Sequence, residues 1–194
     1  SSAASDVYKR QAGSLNDFQT VYVAEKSCTN TAKHFGGRIL FDNDGYLFLT
    51  IGDRGQRERA QNTQDPAGSV LRLHDDGRIP EDNPLVGQAD QASEIWSWGH
   101  RNPQGLALHP QTGKPWLNEH GPRGGDEINA VKPGVNYGWP VITYGREYYG
   151  PSIGDTEKKG YAQPLLHWTP SIAPAGMAFI TSDRYPDWQG HTAN

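Results

Sequence analysis

The chain has 194 residues, a formal charge of −4 from 18 basic and 22 acidic residues, and 35% hydrophobic content. That length carries one domain, or a piece of one, with a real core. The acidic balance speaks against a nucleic-acid partner, and no apolar run approaches the ~20 residues of a bilayer span.

Residues 1–11 lack apolar periodicity and read as a non-native or disordered lead-in, leaving 12–194 as the domain proper. Cys28 is the only cysteine, so no internal disulfide and no cysteine metal site can form. Next comes Lys33-His34-Phe35-Gly36-Gly37, a histidine ahead of two glycines that permit a sharp turn or close packing. On pattern alone His34 is as simply a surface histidine.

Two β-prone runs follow, 37–41 and 45–49, joined by Asp42-Asn43-Asp44-Gly45, a hairpin signature. The same register returns at 105–109 and 113–117, and begins again at 176–180, with 183–186 as the third turn. Hairpins recurring about every 70 residues with long polar insertions predict propeller blades rather than a solenoid, about three of them here. The strand ending at Ile51 delivers Asp53 between glycines, either a turn aspartate or an acid at a mouth where loops converge. Short strands are also expected at 69–73 and 94–98, and no long helix is expected.

Gly99-His100-Arg101-Asn102-Pro103-Gln104-Gly105 places a guanidinium beside an amide on a loop held by proline. That pair suits an anion, or equally one half of a structural ion pair. The segment 118–129 is dense in carboxylates and in glycines that expose carbonyls, a composition fit for calcium although no EF-hand spacing is present. Asn136-Tyr137-Gly138-Trp139-Pro140 reads as a packed aromatic corner.

In this order the runs at 34–38, 51–55, 99–105, 119–122 with 126–129, and 136–140 resemble the soluble glucose/sorbosone dehydrogenase family, the quinoprotein aldose sugar dehydrogenases, over most of residues 21–190. The resemblance implies an all-β, six-bladed β-propeller of which this chain is a partial ring. It implies pyrroloquinoline quinone (PQQ) and Ca2+ as cofactors, and oxidation of the C1 hydroxyl of an aldose to a lactone, electrons passing on to a natural or artificial acceptor. It further implies His34 as catalytic base, Asp53 as the acid orienting it, and Arg101 as catalytic, with Arg101, Asn102, His120 and Trp168 as cofactor contacts. Gly121 and Pro122 would offer carbonyls to one calcium, and Glu127 and Tyr137 would bind a second. A periplasmic or secreted location follows from the family alone.

The family's remaining lysine and arginine contacts lie beyond Asn194, so the chain by itself is expected to bind cofactor poorly and to show little activity. Uncovered sheet faces make aggregation an expected liability. Two other readings compete: a calcium-dependent, lactonase-like hydrolase on a similar propeller, and a non-catalytic propeller used as a binding module. The Arg101-Asn102 pair discriminates the hydrolase, which needs no clamp for quinone carboxylates, and the presence of both His34 and Asp53 argues against the binding module.

Overall fold

A computed structural model describes residues 4–11, 14–24 and 32–193, with side chains from 18–24 and 32–192. Cys28 lies outside the described residues. The elements in order are β1 (Ala4–Gln11), β2 (Ser14–Val23), β3 (Gly36–Phe41), β4 (Leu47–Ile51), β5 (Ser69–Leu73), β6 (Ile95–Trp98), β7 (Pro103–Leu108), β8 (Pro115–Glu119), β9 (Asp126–Ala130), β10 (Val135–Asn136), β11 (Leu166–Trp168), β12 (Ala178–Phe179) and β13 (Thr192–Ala193). The only helical turns among them are short 3₁₀ segments at Arg57–Gln61 and Pro186–Trp188, and no described helix is long and apolar enough to cross a membrane.

The architecture is all-β and a partial β-propeller. Strands β3 to β6 form an antiparallel blade with β10 added parallel to β6, and β7, β8, β9 and β11 form a second antiparallel blade. The innermost strands neighbour one another, β3 against β7 and β7 against β12, as blades around a common axis require. Both repeated hairpins of the sequence are present, β3 with β4 and β7 with β8. The third opens at β12, and its partner is β13, paired as Ala178↔Ala193 and Phe179↔Thr192. Its connection therefore runs well past the turn expected at 183–186. The segment expected as a lead-in contributes β1, antiparallel to β2.

Every residue of β4 and β5 is buried, because both faces of these central strands are covered and successive side chains point to opposite faces. Leu49, Ile51 and Leu71 point one way, to Ala24 and Leu85, with Tyr22 of β2 packed on them. Phe48 and Val70 point the other way and meet Leu117 and Val131 of the second blade. Burying a side chain of this size contributes about 1.5–3 kcal/mol. This apolar seam between blades holds their inner ends at one mouth, where β4 runs out and β7 begins.

Candidate active site

Asp53 follows directly from β4, and His34 sits just before β3, the strand paired with it. The backbone brings them together by close approach: a Cβ on Gly52 would run into the His34 carbonyl, and one on Gly36, at φ 66°, would meet the Thr50 carbonyl oxygen at 2.8 Å. His34 itself adopts φ 54°, a left-handed conformation that an ordinary residue holds only where its surroundings enforce it. Its Nδ1 lies 2.6 Å from Asp53 Oδ1, and the aspartate side chain is 1% exposed.

Burial alone would raise the Asp53 carboxyl. The His34 hydrogen bond and charge, the Gly55 N–H at 2.7 Å and the Trp139 indole N–H at 2.8 Å outweigh it and hold the acid below its ordinary value. An ionised carboxylate only accepts, so His34 Nδ1 donates and Nε2 keeps the lone pair. That is the arrangement of a general base whose tautomer is set by an acid.

Arg101 enters between the last strand of the first blade and β7. Its carbonyl accepts the Asp53 N–H at 2.9 Å, and its own N–H donates to Glu119 Oε2 at 2.7 Å, so the loop is pinned to both blades. Its Nη1 donates to the carbonyls of His120 (3.1 Å) and Gly121 (3.0 Å), while its buried Nε has no hydrogen-bond partner among the described residues. The guanidinium carbon lies 5.4 Å from the centre of the Trp139 ring. Asn102 is buried, and its Oδ1 accepts from Gln104 Nε2 at 2.9 Å and from Gly36 N–H at 3.4 Å, tying the loop to the turn after His34.

On the second blade Glu119 and Glu127 stand directly opposite across β8 and β9, a pairing that sets like charges side by side. Glu119 is well supplied, taking His100 Nδ1 at 2.9 Å, Arg101 N–H at 2.7 Å and Asn129 Nδ2 at 3.3 Å. Asp126 accepts the Gly121 N–H at 2.9 Å, Ser171 Oγ at 2.6 Å, and the N–H groups of Ile172 and Ala173 at 2.8 Å each. Glu127 receives Asn129 Nδ2 at 3.1 Å. Burial first, then Glu119 and Asp126, push its carboxyl up to about 8 against that one bond. Tyr137 buries its hydroxyl between the Ala130 carbonyl and the Lys132 N–H, stacks on His100 with ring centres 4.7 Å apart, and is pushed up to about 12, mainly by burial.

Arg101, Glu119, Gly121, Glu127, Tyr137 and Trp139 line one cavity of about 10 Å³, room for a single water-sized or ion-sized occupant. Among the described residues no three His, Cys, Asp or Glu side chains converge as a metal cluster. The structure thus brings together His34, Asp53, Arg101 and Asn102 at the mouth, and Gly121, Glu127 and Tyr137 at the adjoining cavity. Pro122 is buried beside Gly145. His120 donates its Nε2–H to the Pro174 carbonyl at 2.7 Å. Trp168 lies on β11, the outer strand of the second blade, opposite Asp126; its carbonyl accepts the N–H of Gly125 on the cavity wall at 2.7 Å, and no ring contact of its indole with the mouth is found among the described residues.

Two contributors were not assigned roles from sequence. Glu119 organises His100 and Arg101, and Trp139, read as packing, donates to Asp53. The only sequence signal for the second was that a buried tryptophan N–H needs an acceptor.

The family profile described as Glucose / Sorbosone dehydrogenase matches residues 3–193. The aldose sugar dehydrogenase YliI of Escherichia coli (strain K12) is 47% identical over 178 residues, covering 90% of this chain and 48% of that protein. Among solved structures, the apo-form of the soluble aldose sugar dehydrogenase from Escherichia coli superposes with a TM-score of 0.89 at 43% identity, covering 97% of this chain and 55% of that one. The PQQ-bound form of an aldose sugar dehydrogenase from Streptomyces coelicolor does so with a TM-score of 0.69 at 31% identity, covering 91% of this chain and 48% of that one. The chain spans about half the length of these relatives.

Proposed function

Because the chain belongs to the glucose/sorbosone dehydrogenase family, we propose that it carries the catalytic half of a PQQ-dependent aldose dehydrogenase, which oxidises the C1 hydroxyl of a sugar to the lactone. The observation that carries this reading is the 2.6 Å pair of His34 and an ionised, buried Asp53, whose N–H is held by the Arg101 carbonyl. His34 Nε2 takes the proton of the C1 hydroxyl, and Asp53 holds the ring and stabilises the imidazolium that results. The quinone, when bound, supplies the two-electron acceptor for the C1 hydride, and the electrons leave to a natural or artificial acceptor.

The residues present suit that group. The buried, partnerless Nε of Arg101 is a donor in want of an anion, with Asn102 next to it in the chain and the His120 carbonyl on its Nη1. Arg101 would hold the quinone and offset negative charge developing on it. For Ca2+, Glu127 is a carboxyl that its surroundings keep from ionising without a cation, and it shares its cavity with Gly121 and Tyr137. The Gly121 carbonyl already faces a positive charge, that of Arg101. Gly121 and Pro122 would offer their carbonyls to one calcium and Glu127 and Tyr137 would bind the second, and Trp168 is retained as a further cofactor contact. A periplasmic or secreted location forms part of the same proposal.

The test is aldose-dependent dye reduction by the full-length protein, with and without PQQ and calcium, beside Arg101→Ala. Turnover only with the quinone, and loss of quinone binding in the variant, are the expected results. Quinone-independent lactone hydrolysis that survives Arg101→Ala would overturn the reading in favour of a hydrolase.

A further inference from the structure

The base pair is held by a third group, which the chain brings back to the first blade after building β9 of the second. Trp139 lies 86 residues beyond Asp53, yet its indole N–H donates to Asp53 Oδ2 at 2.8 Å, with both partners buried. The chain reaches that point because β10 adds itself to the outer edge of the first blade. Just beyond it, Tyr137 N–H donates to the Trp98 carbonyl and Trp139 N–H to the Gly99 carbonyl. Gln61, in the 3₁₀ turn after Asp53, closes the frame. Its amide exchanges hydrogen bonds with that of Asn136 at 2.8 and 3.1 Å and donates to the Trp139 carbonyl at 2.6 Å. The indole is therefore placed by the backbone on either side of it, and a ring there only to fill space would not need its N–H on a carboxylate.

We propose that Trp139 is a positioning residue of the reaction, locking the second oxygen of Asp53 so that the carboxylate cannot rotate and the His34 ring stays aimed into the mouth. Its role rests on the base assignment above. A hydrogen bond to Oδ2 also withdraws charge from the carboxylate, which weakens its pull on an imidazolium. The other charged groups around the pair are Arg57 with its partner Glu147, Arg101, and Arg54, which lies over Phe35. The faces of the Trp139 ring meet Arg57 and Arg101, so Trp139→Phe removes the N–H and keeps a ring for both guanidiniums.

The test uses the full-length protein. Trp139→Phe is expected to raise the His34 titration midpoint, read from its ring NMR signals, by about 0.5–1 unit. The acid limb of kcat/KM should move up by the same amount. A midpoint and an acid limb within about 0.2 units of the parent's, in a folded variant, would overturn the proposal. A second measurement guards against a variant that does not fold. In the protein that keeps Trp139, the indole N–H resonance must move upfield on Asp53→Asn, and a resonance that stays in place overturns the proposal too. The titration reads the pair whether or not an aldose is oxidised, so this result and the functional assignment can fail separately.

Discussion

Two carboxylates of this protein, Asp53 and Glu127, are both deeply placed and end in opposite states. Asp53 meets three donors from three directions, His34, Gly55 and Trp139, and stays ionised below its ordinary range. Glu127 faces Glu119 across the sheet, has Asp126 beside it, and receives one amide hydrogen bond, so it is pushed up to about 8. Burial penalises both. What separates them is the sign and number of the groups brought to each carboxylate, and so the chemistry each serves: a permanent negative charge that steadies a base, and a carboxyl that ionises fully only beside a cation.

The largest expected effect breaks the Asp53 side. Asp53→Asn keeps the shape but removes the charge and allows the wrong His34 tautomer, so kcat should fall on the order of 10²–10⁴-fold with KM little changed. Steady-state kinetics on the full-length protein check this.

Glu127→Gln is the next test, because an amide resembles the protonated acid this site favours. Without calcium the variant should melt near the parent. With calcium at about 100 times the dissociation constant of the Glu127 site, the parent should gain more than the variant, by roughly 2.7 kcal/mol. Thermal melts with calcium and with chelator check it, and an equal gain in both proteins would remove Glu127 from the metal site.

A third, smaller effect concerns pH. The folded value of Asp53 lies below its unfolded value, so its contribution is present above the unfolded carboxylate value near pH 4 and is lost as pH falls through the folded one. Asp53→Asn should therefore flatten the acid side of a stability–pH curve measured by denaturant titration. The smallest effect belongs to Arg57 and Glu147, paired at 2.7 Å but with side chains 41% and 39% exposed. Arg57→Ala should cost about 0–1 kcal/mol, less at high salt.

The parts of the fold legible in sequence are those set by local pattern. The glycine-marked hairpins became β3 with β4 and β7 with β8, and the runs at 69–73 and 94–98 became β5 and β6. The outer strands β10 and β11, of two and three residues, were not legible, since segments so short carry no alternation and exist only through their neighbours. The third hairpin shows the same limit: its strand, Ala178–Phe179, falls within the 176–180 run of the repeat, but the partner came from beyond an excursion that no turn motif announces.

At the site, His34 and Asp53 were readable because β3 and β4 are adjacent in the chain and their ends must meet. Trp139 was not, because its bond to Asp53 depends on β10, a two-residue strand that returns to the edge of the first blade from far along the chain. The crowding of Glu119, Asp126 and Glu127 was readable as composition only, since which acid goes unsatisfied depends on register and on the donors of 171–173.

The central claim is that His34, held by Asp53, is the base of a quinone-dependent sugar oxidation. Its most direct test is the rate of aldose-dependent dye reduction by His34→Ala in the full-length protein saturated with PQQ and calcium. A fall on the order of 10²–10⁴-fold with quinone binding intact is the predicted result, and a rate within about twofold of the parent's would contradict the account.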